Sequence, residues 1–280
     1  MKDSEKAKDW YDRITATYNS EQRKNWYSEV ADAYNRVRPC YPKELVNRAV
    51  ALAQLPSDAT ILEIGSGPGN ATIAFAKLGF SMVCLEPSQA ACEQLQQNCA
   101  SYPLVKIHNT LFEEWLLEAN RFDAVLAANS WHWLPPEIRC SKAAAALKKN
   151  GSLVLLWNMS AQPVYEVYQA LNEVCQTQAP SVMQSYEDRN AQEEILKGLG
   201  QDVMDSKLFS NVVCEQVACE VAYSVDDYLT LLNTFSPYRM LDPQTRESLF
   251  ERFREVLEKA CGTSIPVSYL SAFHVAQKPC

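Results

Sequence analysis

The sequence predicts an α/β protein: a mostly parallel sheet with helices on both faces. Two observations carry this. From Thr60 onward, short apolar runs alternate with stretches of helical spacing, the pattern of successive β-α-β units. The first run, Ile61-Leu62-Glu63-Ile64, then feeds directly into Gly65-Ser66-Gly67-Pro68-Gly69-Asn70, three glycines at alternate positions with a helical pattern behind them. Glycines let the chain turn sharply where a side chain would clash, bringing bare backbone to the carboxyl edge of the sheet. That edge is where open α/β folds bind their ligands.

The elements follow in order. Residues 1–35 read as amphipathic helix, dense in Trp10, Tyr11, Tyr18, Trp26, Tyr27 and Tyr34. The prolines of Arg38-Pro39-Cys40-Tyr41-Pro42 stop one helix and open the next, which runs to about Leu55. Strands are predicted over 61–64, 82–85, 105–108, 122–127 and 152–157, with helices over 71–78 and 90–100 between them. A further helix spans 135–149, its end marked by Lys148, Lys149 and Gly151. The stretch 180–200 is polar and helical. Ser224 caps a helix through Leu232, and Asp242-Pro243 opens a last helix closed by Gly262. Residues 267–276 alternate as a strand.

The chain has 280 residues, is 47% hydrophobic and 21% charged, and carries a net charge of −8, enough apolar material for a full core. The acidic balance and scattered basic residues argue against a nucleic-acid groove. The polar start excludes a signal or transit peptide, and no apolar run nears the roughly 20 residues that span a bilayer. A cytoplasmic, membrane-free protein is expected. Ten cysteines contain no C-x-x-C pair, and His108, His132 and His274 lack metal-ligand spacing, so no metal site is expected. Free thiols point to a reducing compartment.

Two carboxylates bear on the ligand. Glu63 beside the glycines would repel a pyrophosphate and attract a ligand bearing an ammonium and a sulfonium. The spacing also departs from G-x-G-x-x-G, with Asn70 where the third glycine would stand. Glu86, at the end of the second strand, can accept both hydroxyls of a ribose, while Ser88 serves as the helix cap. Trp131, His132 and Trp133 sit at the mouth of the fourth strand rather than in a helix. They are either core residues or an aromatic wall, with His132 a proton acceptor. Arg38 is either a surface residue ending a helix or the partner of a substrate carboxylate.

The run 61–70, Glu86, and the segment FDAVLAANSWHWLPP at 122–136 resemble the class I S-adenosylmethionine-dependent methyltransferases. Together with YNRVRPCYP at 34–42, they look like the small-molecule branch of the trans-aconitate type. The match covers residues 33–157. LLNTFSPYRML at 231–241 is similar to a related bacterial group. The resemblance implies a Rossmann-like seven-stranded sheet, its seventh strand antiparallel, with a helical lid. It divides the chain into an N-terminal lid (1–42), a cofactor-binding core (43–160), and a helical cap with C-terminal strands completing the sheet (161–280).

Carried over by position, S-adenosylmethionine would meet Gly65, Ser66, Gly67 and Gly69, with Glu63 near its ammonium and Glu86 on its ribose. Phe112 and Glu113 would face adenine, Leu111 standing where many relatives carry Asp. Asn129 would lie beside the sulfonium, and Arg38, Trp131 and His132 would line the acceptor pocket. The implied activity is methyl transfer to a small carboxylate, hydroxyl or amine. The alternatives are a catalytically silent cofactor binder on the same fold and an NAD-dependent dehydrogenase. Nucleic-acid methylation is disfavoured, since residues 129–132 read Asn-Ser-Trp-His instead of a Pro-Pro-aromatic run.

Overall fold

The computed structural model describes residues 21, 22, 24 and 28–279. The expected aromatic helix over Trp10, Tyr11, Tyr18, Trp26 and Tyr27 lies outside the described residues. Helix α1 (Ala31–Val37) follows a 3-10 turn at Ser28–Val30, and α2 (Lys43–Leu52) starts directly after Pro42. The alternating part then runs β1 (Thr60–Ile64), α3 (Asn70–Ala76), β2 (Ser81–Leu85), α4 (Gln89–Asn98), β3 (Val105–His108), β4 (Phe122–Ala128), α5 (Pro136–Ala146) and β5 (Leu147–Asn158). Beyond it lie β6 (Gln162–Pro163), α6 (Tyr165–Gln178), α7 (Arg189–Leu199), α8 (Gln201–Asp205), β7 (Ser210–Tyr223), α9 (Val225–Asn233), α10 (Ser236–Arg239), α11 (Pro243–Cys261) and β8 (Ile265–Gln277).

The sheet has the order β3-β2-β1-β4-β5-β8, with both β7 and the two-residue β6 pairing β8. Strands β1 to β5 are parallel, and β8 lies antiparallel between β5 and β7. The antiparallel strand predicted over 267–276 is therefore present, but it is the eighth strand because β6 adds a short pairing. The 14-residue β7 is not anticipated by the sequence analysis. It is an edge strand whose outward residues are exposed, so its apolar alternation is interrupted by Glu215, Gln216 and Glu220.

A period of two divides the core. Leu62, Ile64, Val83, Leu85, Val125 and Leu153 point to one face, whereas Ile61, Met82, Cys84, Ala124, Leu126 and Val154 point to the other, against α2, α3 and α4. A third cluster packs α6, α9 and α11 over the start of β8. Leu249, Phe253 and Leu257 recur every four residues along α11 and are wholly buried. Each contributes about 1.5–3 kcal/mol of burial free energy.

Several boundaries differ from expectation. Helix α5 ends at Ala146, because Leu147 already has extended geometry (φ −71°, ψ 140°) and begins β5. Lys148 pairs with Asp123 of β4 rather than complementing a helix end, and residues 148–151 form an irregularity in the β4–β5 register. Within 180–200 the helix starts only at Arg189, capped by Asp188. The predicted caps Ser88, Ser224 and Asp242 accept hydrogen bonds from Ala91, Asp227 and Thr245. Among the described residues no helix is long and apolar enough to cross a membrane.

Candidate functional site

Strand order reverses between β1 and β4, so a crevice opens outside their carboxyl ends. The glycine turn after β1 forms one wall, and Asn129, Ser130 and the 3-10 turn Trp131–Trp133 after β4 form the other. Gly65 has φ +64°, and a Cβ there would lie 2.7 Å from the Cβ of Ser130. Ser130 Oγ in turn donates to the carbonyl of Ile64, pinning the two walls together at 2.5 Å.

The donors of the glycine turn are largely spent. Gly65 N–H and Ser66 N–H both go to Leu85 O, at 2.8 and 3.2 Å. Gly69 N–H goes to Ser66 O at 3.1 Å. Gly67 N–H donates to Glu86 Oε2 at 2.8 Å, while Ser88 N–H donates to Oε1 at 2.8 Å. Pro68 has no N–H. A diphosphate is held by N–H groups of such a turn and of the helix behind it; here those of the turn are taken, which leaves only the first N–H groups of α3.

Glu86 lines the main cleft, a space of about 970 Å³, together with Gly65, Gly67, Phe112, Glu113 and Asn129. Burial pushes its pKa up to about 7, opposed by the hydrogen bonds from Ser88 and Gly67. At the far end of the cleft, Phe112 is buried and Glu113 Oε2 is buried without a hydrogen-bond partner. Lys142 of α5 holds this corner in shape by donating to the carbonyls of Phe112, Glu113 and Trp115, at 2.6, 3.0 and 2.7 Å. Nothing in the sequence marks Lys142, which looks like any helix-surface lysine.

Two expected ligand contacts are corrected. Glu63 does not line the cleft. On β1 it shares a face with Ile61, so it points beneath the turn, fully buried, where Thr72 Oγ1 donates to it at 2.6 Å. Its other oxygen lacks a partner, and burial raises its pKa to about 7, opposed by the bonds from Thr72 and Cys84. Gly69 is also turned away: its φ is +104°, and a Cβ would meet Leu95 Cδ1 at 2.5 Å, so its role is close packing of α4. Ser66 remains at the wall of a smaller continuation of the cleft with Gly65, Tyr34 and Arg38, its buried Oγ without a partner.

Asn129 stands where the spaces meet. It adopts φ +51°, and Tyr41 OH and the Asn158 N–H both donate to its Oδ1, at 3.2 and 2.8 Å. Its Nδ2 donates to Asn158 O at 2.9 Å. Beyond it opens a chamber of about 2070 Å³, walled by Tyr34, His132, Trp133, Trp157, Glu187 and Phe235 among others.

Trp131, His132 and Arg38, expected to line an acceptor pocket, all border this chamber, each with partners of its own. Trp131 is only 1% exposed and belongs to the core; its Nε1 donates to Asp202 at 3.0 Å, and Asp202 pairs with Arg139 at 2.7 Å. His132 does reach the chamber and stacks on Trp157 with 6.0 Å between centroids. Burial, with Arg139 nearby, lowers its pKa to about 4, so it is neutral at pH 7 and a weak base. Arg38 also reaches the chamber, but it is engaged: Nε donates to Thr234 Oγ1 at 2.9 Å and Nη2 to Thr234 O at 3.1 Å. Its guanidinium lies 4.8 Å from the Tyr34 ring and 4.0 Å from the Phe235 ring. Among the described residues, no group of three or more His, Cys, Asp or Glu could hold a metal ion.

A reversed strand order, a glycine turn and an acid after β2 define a nucleoside-binding α/β protein. Comparison with known proteins narrows this. A family model described as a methyltransferase domain matches residues 61–151. An uncharacterized methyltransferase of Mycobacterium tuberculosis is 32% identical over 124 residues, covering 44% of this chain and 48% of the relative. The chain thus spans about half the length of these mycobacterial relatives. An uncharacterized methyltransferase of Schizosaccharomyces pombe is 23% identical over 228 residues, 79% of this chain and 82% of that one. Among solved structures, a protein assigned as a type II methyltransferase from Anaeromyxobacter dehalogenans shares the fold, with TM-score 0.60 and 16% identity over 87% of this chain and 99% of that one. Residues 61–151 thus match a methyltransferase domain, on a fold that the chain shares with such proteins.

Proposed function

We propose that this protein transfers the methyl group of S-adenosylmethionine to a small-molecule acceptor. The supporting observation is the chemistry of the cleft's donors and acceptors. The glycine-turn N–H groups are consumed internally, which disfavours a diphosphate and hence NAD. The acceptors that remain suit a neutral, donor-rich nucleoside. Glu86 would take the ribose hydroxyls on its remaining lone pairs, and the unpartnered Glu113 oxygen suits an amino group such as that of adenine. Gly65, Ser66 and Gly67 would flank the amino-acid portion, and Asn129 would border the sulfur. Glu63 would act from below the turn, fixing α3 through Thr72 rather than touching the ligand.

When bound, the sulfonium supplies an electrophilic methyl group. The protein's part is to hold the acceptor in line with it and to exclude water. His132 and Trp133 would form an aromatic wall beside the transfer path, where a cationic methyl is favoured. With a pKa near 4, His132 is better suited to that wall than to proton abstraction. Isothermal titration with S-adenosylmethionine, S-adenosylhomocysteine and NAD tests the assignment: binding of the first two without the third is expected, and NAD binding alone would overturn it. A silent binder on the same fold would show cofactor binding but no labelled methyl transfer to any acceptor from a metabolite pool.

A further inference from the structure

The chamber beyond Asn129 has walls of mixed charge, part of which is matched by ion pairs. Arg38 is held by Thr234 and sandwiched by Tyr34 and Phe235. Arg139 is paired with Asp202 and also donates to Trp131 O. Glu194 pairs with Lys197. Arg38 and Glu187 are then the charged groups of the chamber that no ion pair neutralises among the described residues. Glu187 is different: its Oε2 is buried and has no hydrogen-bond partner. An orphaned buried acceptor is costly unless something donates to it. The rings of Trp133, Trp157 and Phe235 line the same chamber, and aromatic faces attract a cation.

We propose that Glu187 selects the methyl acceptor, and that the acceptor is a small amine whose N–H it accepts. The inference rests on the methyltransferase reading above. The amine nitrogen, with one N–H bonded to Glu187, gives its lone pair to the methyl carbon as that carbon's bond to sulfur breaks, the bonding pair remaining on sulfur. The positive charge moves from sulfur to nitrogen, so the product is an N-methylammonium beside a carboxylate and no base is needed for the transfer. The raised pKa of Glu187, caused by burial and opposed by a hydrogen bond from Ser160, fits a carboxylate awaiting a donor.

The test uses the full chain and methyl-labelled S-adenosylmethionine with a panel of small primary amines, carboxylic acids and alcohols. A second readout is titration of the same amines into protein saturated with S-adenosylhomocysteine. Label should enter amines only. Glu187→Ala should raise KM and Kd for the amine about tenfold or more, the loss of a charged hydrogen bond. S-adenosylhomocysteine affinity should stay within about twofold of wild type, which also shows that the variant is folded. Label in carboxylates or alcohols, in no amine, or unchanged amine KM and Kd in the variant, would overturn the assignment to Glu187. Failure of wild-type protein to bind S-adenosylhomocysteine would instead remove the methyltransferase reading on which it stands.

Discussion

Replacing Glu86 with Gln keeps the shape of the side chain and removes its charge, so it isolates the contribution of the carboxylate. Both oxygens already accept backbone N–H groups, from Gly67 and Ser88. A Gln amide can satisfy only one of them; its NH2 must face the other N–H, donor against donor. The variant therefore loses one backbone bond and one charged acceptor for the ribose. At about 1.5–3 kcal/mol for a hydrogen bond to a charged group, the loss amounts to about 10- to 150-fold in the Kd for S-adenosylhomocysteine. A pH signature accompanies it. The Glu86 pKa is raised to about 7 by burial, so the ionised form that accepts both hydroxyls is lost as pH falls through that value. Between pH 8 and pH 6 the ionised fraction drops about tenfold, and wild-type affinity should fall with it while the Gln variant stays flat. Isothermal titration at both pH values reads the difference, from which the ligand's own ionisation cancels. Equal pH dependence in both proteins would refute the reasoning, as would unchanged affinity in the variant.

Other substitutions separate fold from site. Gly69→Ala combines a positive φ with a Cβ 2.5 Å from Leu95, a wholly buried residue, and should destabilise by about 2–3 kcal/mol in thermal or urea melts; a near-wild-type midpoint would contradict the packing role. Lys142→Met strands three carbonyls and should lower the melting temperature by several degrees while weakening S-adenosylhomocysteine severalfold. His274 accepts a hydrogen bond from Trp157 Nε1, and burial lowers its pKa to about 4. The folded state then binds fewer protons than the unfolded state between pH 4 and 6.5, so stability falls as pH drops through that window, by roughly 3 kcal/mol at most. His274→Gln should flatten that acid limb in a melt series, and an unchanged slope would show that other groups set it.

Much of the cleft could be read from the sequence because its signals are local. The glycines, Glu86 and the segment after β4 each follow a strand that the apolar runs mark within a residue or two, and strand ends place them together. Glu63 shows where local reading fails: its neighbourhood with the glycines is real in sequence, but the pleat directs it beneath the turn, away from the cleft lining. Trp131 and Arg38 were ambiguous for another reason. Their partners, Asp202 and Thr234, lie 71 and 196 residues away, and no periodicity announces such pairs. The strand β7 was hidden because an exposed edge carries charge where a buried strand would not. Glu187, in a polar stretch, differs from other surface acids only through what surrounds it.

The roof of the cleft is stitched from distant parts of the chain: Tyr34 and Arg38 of the α1 region meet Phe235, and β8 must slot between β5 and β7 before the sheet is whole. During synthesis the glycine turn and Glu86 therefore emerge long before the segments that enclose them. Affinity for the ligand should accordingly arise late and abruptly, when residues near 270 join the sheet. Ligand capture would then report completed folding, and the nascent half-protein would be unable to commit the cofactor to an unguarded reaction.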